Sequence, residues 1–446
     1  MNSPRRRPLL RPLARRVHFL ASVFVAPFLV LACLTGLLYV ISPQIHEGLY
    51  KNQLNAVQRD WPIRPLDEQV AAALTGHPEA QLDSVLRPER GDRTTWVNLK
   101  TPGLAPGDTR TVFVDPYTDY VNGELTTQSG RLPANVWLRH FHTDLQLGGP
   151  GAVYVSLAAS WLVIILVTGL VLWFAKQGRR PRTARTLLAP AVRREPPALR
   201  LRALHGGMGL YLTLGLLAIG LTGTLMSGYT KPLFDAKAPT LVTTPLAEPP
   251  GAQSISLDTA LDVARAAGLH GNLEVRPPAD PTQPIRVSEQ AAAGMPAGVD
   301  TIAVDPYSGQ VIASVTWADY PLGAKLMWLS TQFHTGVLFG LANQILLAVL
   351  VVGLLGIIVT GYRMWWRRSP YSNPLSSAPP VMWRALGPSR LALVVAVTLG
   401  LGLVSPVLGA SLVGFLIVDS VWRKVSAWRT RRVAPQRSEE DLVGAR

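Results

Sequence analysis

The chain has 446 residues, 48% of them hydrophobic, and a formal net charge of +15. Its several nearly uncharged runs of more than about 18 residues, the length that a bilayer-crossing helix needs, exclude a soluble globular enzyme. The single cysteine, Cys33, excludes an internal disulfide, a cysteine-ligated iron–sulfur cluster and thiol-linked haem.

In chain order, residues 1–41 are a basic cytoplasmic N-terminus and a first predicted span, 17–41, read as an uncleaved anchor because its apolar run outlasts a signal-peptide core. Cys33 lies inside this span and reads as a small buried apolar residue. Residues 42–139 form a first polar lobe. Residues 140–174 carry a second span, 151–174, followed by a basic loop over 175–203. A third span covers 204–228, a second lobe 229–327, and residues 328–362 carry a fourth span, 336–362. A linker over 363–390 leads to a less regular apolar stretch, 391–419 within a segment 391–422, and a basic tail fills 423–446.

Charge distribution sets the orientation. The two lobes hold 16 Lys+Arg against 22 Asp+Glu, and the other basic residues lie before the first span, between the second and third, or beyond the fourth. Positive charge collects on the cytoplasmic side, so both lobes are expected in the periplasm and the chain in a bacterial inner membrane. Nucleic acid is excluded as a partner, because lipid headgroups of the bilayer account for the basic rim. Arg384 and Arg390 precede the last apolar stretch while Arg423, Lys424 and Arg429 follow it. With Pro406 near its middle, a hydrophobic hairpin fits that charge pattern better than a fifth span.

The chain repeats itself. His18 is followed seventeen positions later by Thr35-Gly36, and His205 by Thr222-Gly223 at the same interval. His142 precedes Thr168-Gly169 by twenty-six positions, and His334 precedes Thr360-Gly361 by twenty-six. Val114-Asp115-Pro116-Tyr117-Thr118 matches Val304-Asp305-Pro306-Tyr307-Ser308. Each lobe opens with an amphipathic helix (66–74; 256–267) and continues in short alternating strands (95–99 and 111–114; 285–287 and 301–304), with Asp-Pro-Tyr turning the chain between strands. The expected fold is therefore a polytopic α-helical membrane protein of four transmembrane helices from a tandem duplication. It carries two periplasmic α+β lobes and a C-terminal hydrophobic hairpin or fifth span.

The repeat also sorts the eight histidines. His18 matches His205 and His142 matches His334, whereas His46, His77, His140 and His270 have no counterpart. Odd helices run outward, which brings His18 and His205 together at the cytoplasmic edge; even helices run inward, which brings His142 and His334 together at the periplasmic edge. An unbroken helix over twenty-six residues would span about 39 Å. Two histidines are too few for a tetrahedral zinc site, whereas haem iron needs two axial ligands. Two haem b groups, one per pair, are the expected cofactors, with Arg15, Arg16 and Arg202 placed to neutralise propionates at the inner site and Arg139 at the outer. Arg15, Arg16 and Arg202 read equally as cytoplasmic rim charges. A rival reading gathers His46 and His140 with His142 and His334 into a periplasmic metal cluster. A second, of another class, makes the chain a haem-free module whose lobes bind and regulate an envelope protein. Catalytic residues beyond the ligands are not legible.

The helix order, the Asp-Pro-Tyr lobes and the histidine-to-Thr-Gly spacings, over about residues 10–368, resemble the PepSY-associated transmembrane helix family. It includes iron-regulated inner-membrane proteins and di-haem siderophore reductases. The resemblance implies PepSY-like lobes and a haem-dependent ferric-siderophore reductase: an oxidoreductase of iron uptake that passes electrons from a cytoplasmic donor to a ferric siderophore in the periplasm and releases ferrous iron. It places the ligands on His18, His205, His142 and His334. No dinucleotide fingerprint follows a strand, so the donor is a separate partner.

Overall fold

The computed structural model describes residues 10–177, 196–234, 238–247, 253–290, 299–368 and 388–433. Most of the basic loop expected over 175–203, of the linker over 363–390 and of the tail after 423 lies outside the described residues.

Helix α1 runs Leu10–Val40, followed by the short α2 (Ser42–Leu49) and α3 (Lys51–Leu54). Helix α4 (Leu66–Thr75) leads into β1 (Gln81–Arg87), β2 (Thr95–Lys100), β3 (Asp108–Val114) and β4 (Val121–Gln128). The chain then returns through α5 (Pro133–Thr143) and α6 (Gly149–Gln177). The second half repeats the order with α7 (Pro197–Met226), the single turn α8 (Lys231–Phe234), α9 (Leu257–Ala266), β5 (Leu273–Arg276) and β6 (Ile285–Glu289). Strands β7 (Thr301–Val304) and β8 (Val311–Val315) precede α10 (Leu322–His334) and α11 (Leu341–Arg368), and the described chain ends in α12 (Pro388–Val404) and α13 (Pro406–Val433).

Helices α1, α6, α7 and α11 contain the four candidate spans, of 27 to 30 residues each. They are apolar nearly all round, as a helix must be when lipid replaces water on its outer face. They form a ring: α1 packs on α6 and α11, and α7 packs on the same two, so α1 and α7 face each other across the bundle. Ala21, Val25, Leu29, Ala158, Leu162, Leu216, Leu350 and Leu354 fill its interior, while Phe24, Leu214, Leu346 and Val352 point outward, 48–82% exposed. An exposed apolar girdle of this kind marks a multi-pass membrane protein.

The two lobes are one structure. Their strands form a single eight-stranded antiparallel sheet in the order β4-β3-β2-β1-β5-β6-β7-β8, joined through Val85↔Val275, Leu86↔Glu274 and Arg87↔Leu273. Separate lobes would each leave an unpaired strand edge; pairing β1 with β5 removes both. Helices α4 and α9 cover one face and share a core in which Val85, Val97, Leu99, Leu273, Val275 and Val287 are fully buried. The Asp258 carboxylate of α9 accepts from Leu66 N at 2.8 Å, capping α4 across the join. Both Asp-Pro-Tyr turns close as their composition predicts, with Tyr117 N donating to Asp115 Oδ1 and Tyr307 N to Asp305 Oδ1, each at 2.9 Å.

One expectation is corrected. The inward helices are not continuous from histidine to Thr-Gly. Helix α5 stops at Thr143, and residues 144–148 turn with positive φ at Leu145, Gln146 and Gly148 before α6 begins. A Cβ on Gly151 would lie 1.6 Å from the Asp144 carbonyl oxygen, so this turn admits only glycine there. The same break follows His334, with positive φ at Gly336, Phe339 and Gly340.

The last apolar stretch, expected as a hairpin or a fifth span, is two helices rather than one. They reverse at Ser405-Pro406 and meet where a Cβ on Gly409 would stand 2.7 Å from the Gly402 Cα. Pro406 opens α13, where its missing N–H is no loss. Helix α13 packs on α6, and Trp161 Nε1 donates to Ser411 Oγ at 2.8 Å.

Candidate functional site

The four repeat-matched histidines meet as two pairs. His18 of α1 and His205 of α7 lie at the end of the bundle away from the sheet, with ring centroids 6.4 Å apart and planes at 81°. His142 of α5 and His334 of α10 meet at the sheet end, 6.3 Å apart with planes at 35°. Each pair joins one histidine from each half of the chain.

Each imidazole is held by the Thr-Gly dipeptide of the other long helix in its own half. His18 Nδ1 lies 2.9 Å from the Ile165 carbonyl and 3.3 Å from Thr168 Oγ1. His205 Nδ1 lies 3.1 Å from the Ile357 carbonyl and 3.1 Å from Thr360 Oγ1. At the sheet end, His142 Nδ1 is 3.0 Å from Thr35 Oγ1 and His334 Nδ1 is 2.9 Å from Thr222 Oγ1.

The threonine protons are already committed. Thr35 donates to Leu31 O and Thr222 to Ala218 O, so both hydroxyls accept from the imidazoles. With the hydroxyl proton held inside the helix, Nδ1 carries the ring proton, and at His18 and His205 a backbone carbonyl requires it there. The Nε2 lone pair is left for a ligand, the arrangement that orients a metal-binding histidine. Burial pushes His142 and His334 down to about 4, with mutual repulsion adding at His142, so both are neutral at pH 7.

The glycines of these dipeptides set how closely the rings approach. A Cβ on Gly36 would stand 3.2 Å from His142 Cε1, on Gly169 3.1 Å from His18 Cε1, and on Gly223 3.1 Å from His334 Cε1. These four Thr-Gly pairs serve as landmarks in the sequence; their role as ring holders is what the structure adds. The repeat itself carries the signal, because each dipeptide keeps its register to a histidine.

The pair distal to the sheet opens into a cavity of about 820 Å³. Besides the two histidines it is lined by Trp173, Trp365, Gly169, Gly206, Gly361 and the arginines Arg11, Arg15 and Arg202. Arg16, expected here, is 8% exposed and does not line it, whereas Arg11 does. Arg139 is exposed on α5, three residues before His142.

The rival metal cluster of His46, His140, His142 and His334 is not assembled among the described residues. Among the described residues no three His, Cys, Asp or Glu side chains converge to hold a metal ion. His140 Nδ1 instead pairs with Asp144 at 2.7 Å. His46 stacks 6.5 Å from Tyr50 and keeps a buried Nε2 without a partner. His77 pairs with Glu124 at 2.6 Å, and the His270 backbone N–H donates to Glu289.

The arrangement therefore offers two histidine pairs, with ring centroids 6.4 and 6.3 Å apart. No curated protein matches the chain. Residues 15–368 match the model of the PepSY-associated TM region family, and the chain belongs to that family.

Proposed function

We propose that this chain is a di-haem electron-transfer protein of the bacterial inner membrane. In this reading it arose by tandem duplication, holds its sheet in the periplasm, and takes electrons from a separate cytoplasmic donor. The electrons reduce a ferric siderophore on the periplasmic side, so the iron leaves as the ferrous ion. The observation that carries the reading is the spacing of the two histidine pairs. A metal–imidazole bond of about 2 Å, with about 1 Å more from nitrogen to ring centre, puts two imidazoles on one iron about 6 Å apart. The observed spacings are 6.4 and 6.3 Å.

The donor set fits as well. Two neutral nitrogens complete the axial shell of haem and fall short of what zinc requires. Bound haem would supply one-electron chemistry, with its potential tuned by the axial ligands and by burial. His18 and His205 would hold the inner group, and His142 and His334 the outer. The protein orients each imidazole through its Thr-Gly partner and excludes water from the bundle interior with Leu29, Leu162, Leu216 and Leu354. The acceptor rests on family likeness, which includes siderophore reductases.

The test is the dithionite-reduced minus oxidised spectrum of the detergent-purified protein with a pyridine haemochrome count per chain. About two b-type haems, falling to about one in His205→Ala and in His334→Ala, support the reading. A colourless protein from haem-replete cells would refute it and leave a haem-free binding or regulatory module.

A further inference from the structure

The cavity beside His18 and His205 repeats more than its ligands. Arg15 stands three positions before His18, and Arg202 three before His205. Trp173 lies thirty-one positions after His142 and Trp365 thirty-one after His334. All four line the one cavity, so both halves contribute the same His, Arg and Trp to it. Arg11 lines it too but has alanine, Ala198, at the matching position. Among the described residues no carboxylate lines the cavity, and Arg11, Arg15 and Arg202 form no ion pair. Trp173 Nε1 is a buried donor without an acceptor among the described residues, and its ring packs where a Cβ on Gly206 would approach within 2.8 Å.

We infer that this cavity recognises a flat ligand bearing two carboxylates, with Arg15 and Arg202 each binding one and Trp173 Nε1–H donating to a carboxylate oxygen. The ligand is the inner haem of the reading above, on which this inference rests. The bland account, in which these arginines only mark the cytoplasmic rim, leaves three things unexplained: the matched register, the absence of acidic partners and the orphaned indole N–H. An orphaned buried donor costs about 1–3 kcal/mol unless a ligand answers it.

The two sites can be read separately. Ring planes at 81° and at 35° predict two distinct low-spin ferric signals in electron paramagnetic resonance, because the angle between axial imidazoles sets the anisotropy. Full-length protein from haem-starved cells, in detergent, is titrated with haemin and with haemin dimethyl ester, which lacks the charges. Wild-type inner-site occupancy should favour haemin, and Arg15→Gln with Arg202→Gln should weaken haemin by about threefold to tenfold per arginine while leaving the ester unchanged. Arg367→Gln, a charge at the same end of the bundle that does not line the cavity, is the control and should change neither. Equal binding of haemin and ester by the wild-type protein overturns the inference without any variant having to fold. So does an equal loss in Arg367→Gln. If neither compound yields a low-spin signal, the haem reading itself fails.

Discussion

At the scale of single residues, the Nδ1 hydrogen bonds decide which nitrogen faces the gap. Thr35→Val removes the acceptor of His142 Nδ1–H while keeping the side-chain shape. Loss of such a partner weakens metal binding by about tenfold or more. The outer signal should weaken in haem titration while the inner persists, and equal loss at both sites would count against a local role. Gly169→Ala tests the other half of the dipeptide. Its added methyl meets the His18 ring at 3.1 Å, so the inner site should lose occupancy first. The histidines were legible in the sequence because the repeat separated four of eight. Their holders were visible only as spacing, since a threonine hydroxyl and a glycine hydrogen carry no chemistry until a neighbouring helix brings a ring against them. Arg11 was missed because it lies outside the repeat, and Arg16 was misassigned because adjacent helix positions point about 100° apart.

At the scale of elements, the four long helices were legible from apolar run length, and so were α4 and α9 from their apolar spacing. Strands β1, β4, β5 and β8 were not. Gln81–Arg87 and Val121–Gln128 are rich in polar residues because part of their surface is covered by hydrogen-bonded side chains. Asn98 donates to Ser84, and Thr111 and Thr127 bond across the same face, all of them buried. The fusion of the lobes depends on β1 meeting β5, and Val275→Pro should break it. Proline deletes a ladder hydrogen bond and is disfavoured inside a sheet. A loss of thermal stability, with protease cleavage between the halves, is the expected result. Ser411→Ala leaves the Trp161 indole N–H unanswered in the bundle and should lower stability by about 1–3 kcal/mol, read as detergent-phase thermal unfolding. That contact comes from α13, beyond the residues that match the family, so the hairpin clamps the family core from outside.

At the scale of the whole molecule, the proposed orientation rests on the charge distribution and can be checked directly. Cys33 is buried, so introduced cysteines report without background. Thr118→Cys, exposed on the sheet, should react with a membrane-impermeant maleimide in spheroplasts, and Arg367→Cys only after permeabilisation. The reverse pattern would invert the proposed direction of electron flow. The breaks at 144–148 and after His334 also revise the depth of the outer site. Because His142 meets Thr35, seventeen residues along α1 from His18, the two sites lie about 26 Å apart along the helix. An unbroken second helix would have put about 39 Å between them.

The crossed pattern of the histidines has a consequence for how such a molecule is put together. Each imidazole is steadied within its own half, yet each pair is completed only by the other half. A half expressed alone would carry one finished ligand for each site and no finished site. Two copies of one half, related by a two-fold axis along the bundle, would restore both at once. On the proposed duplication, the joined chain is a dimer that cannot dissociate, and its two halves differ where Arg11 and Trp161 have Ala198 and Gly353 at the matching positions.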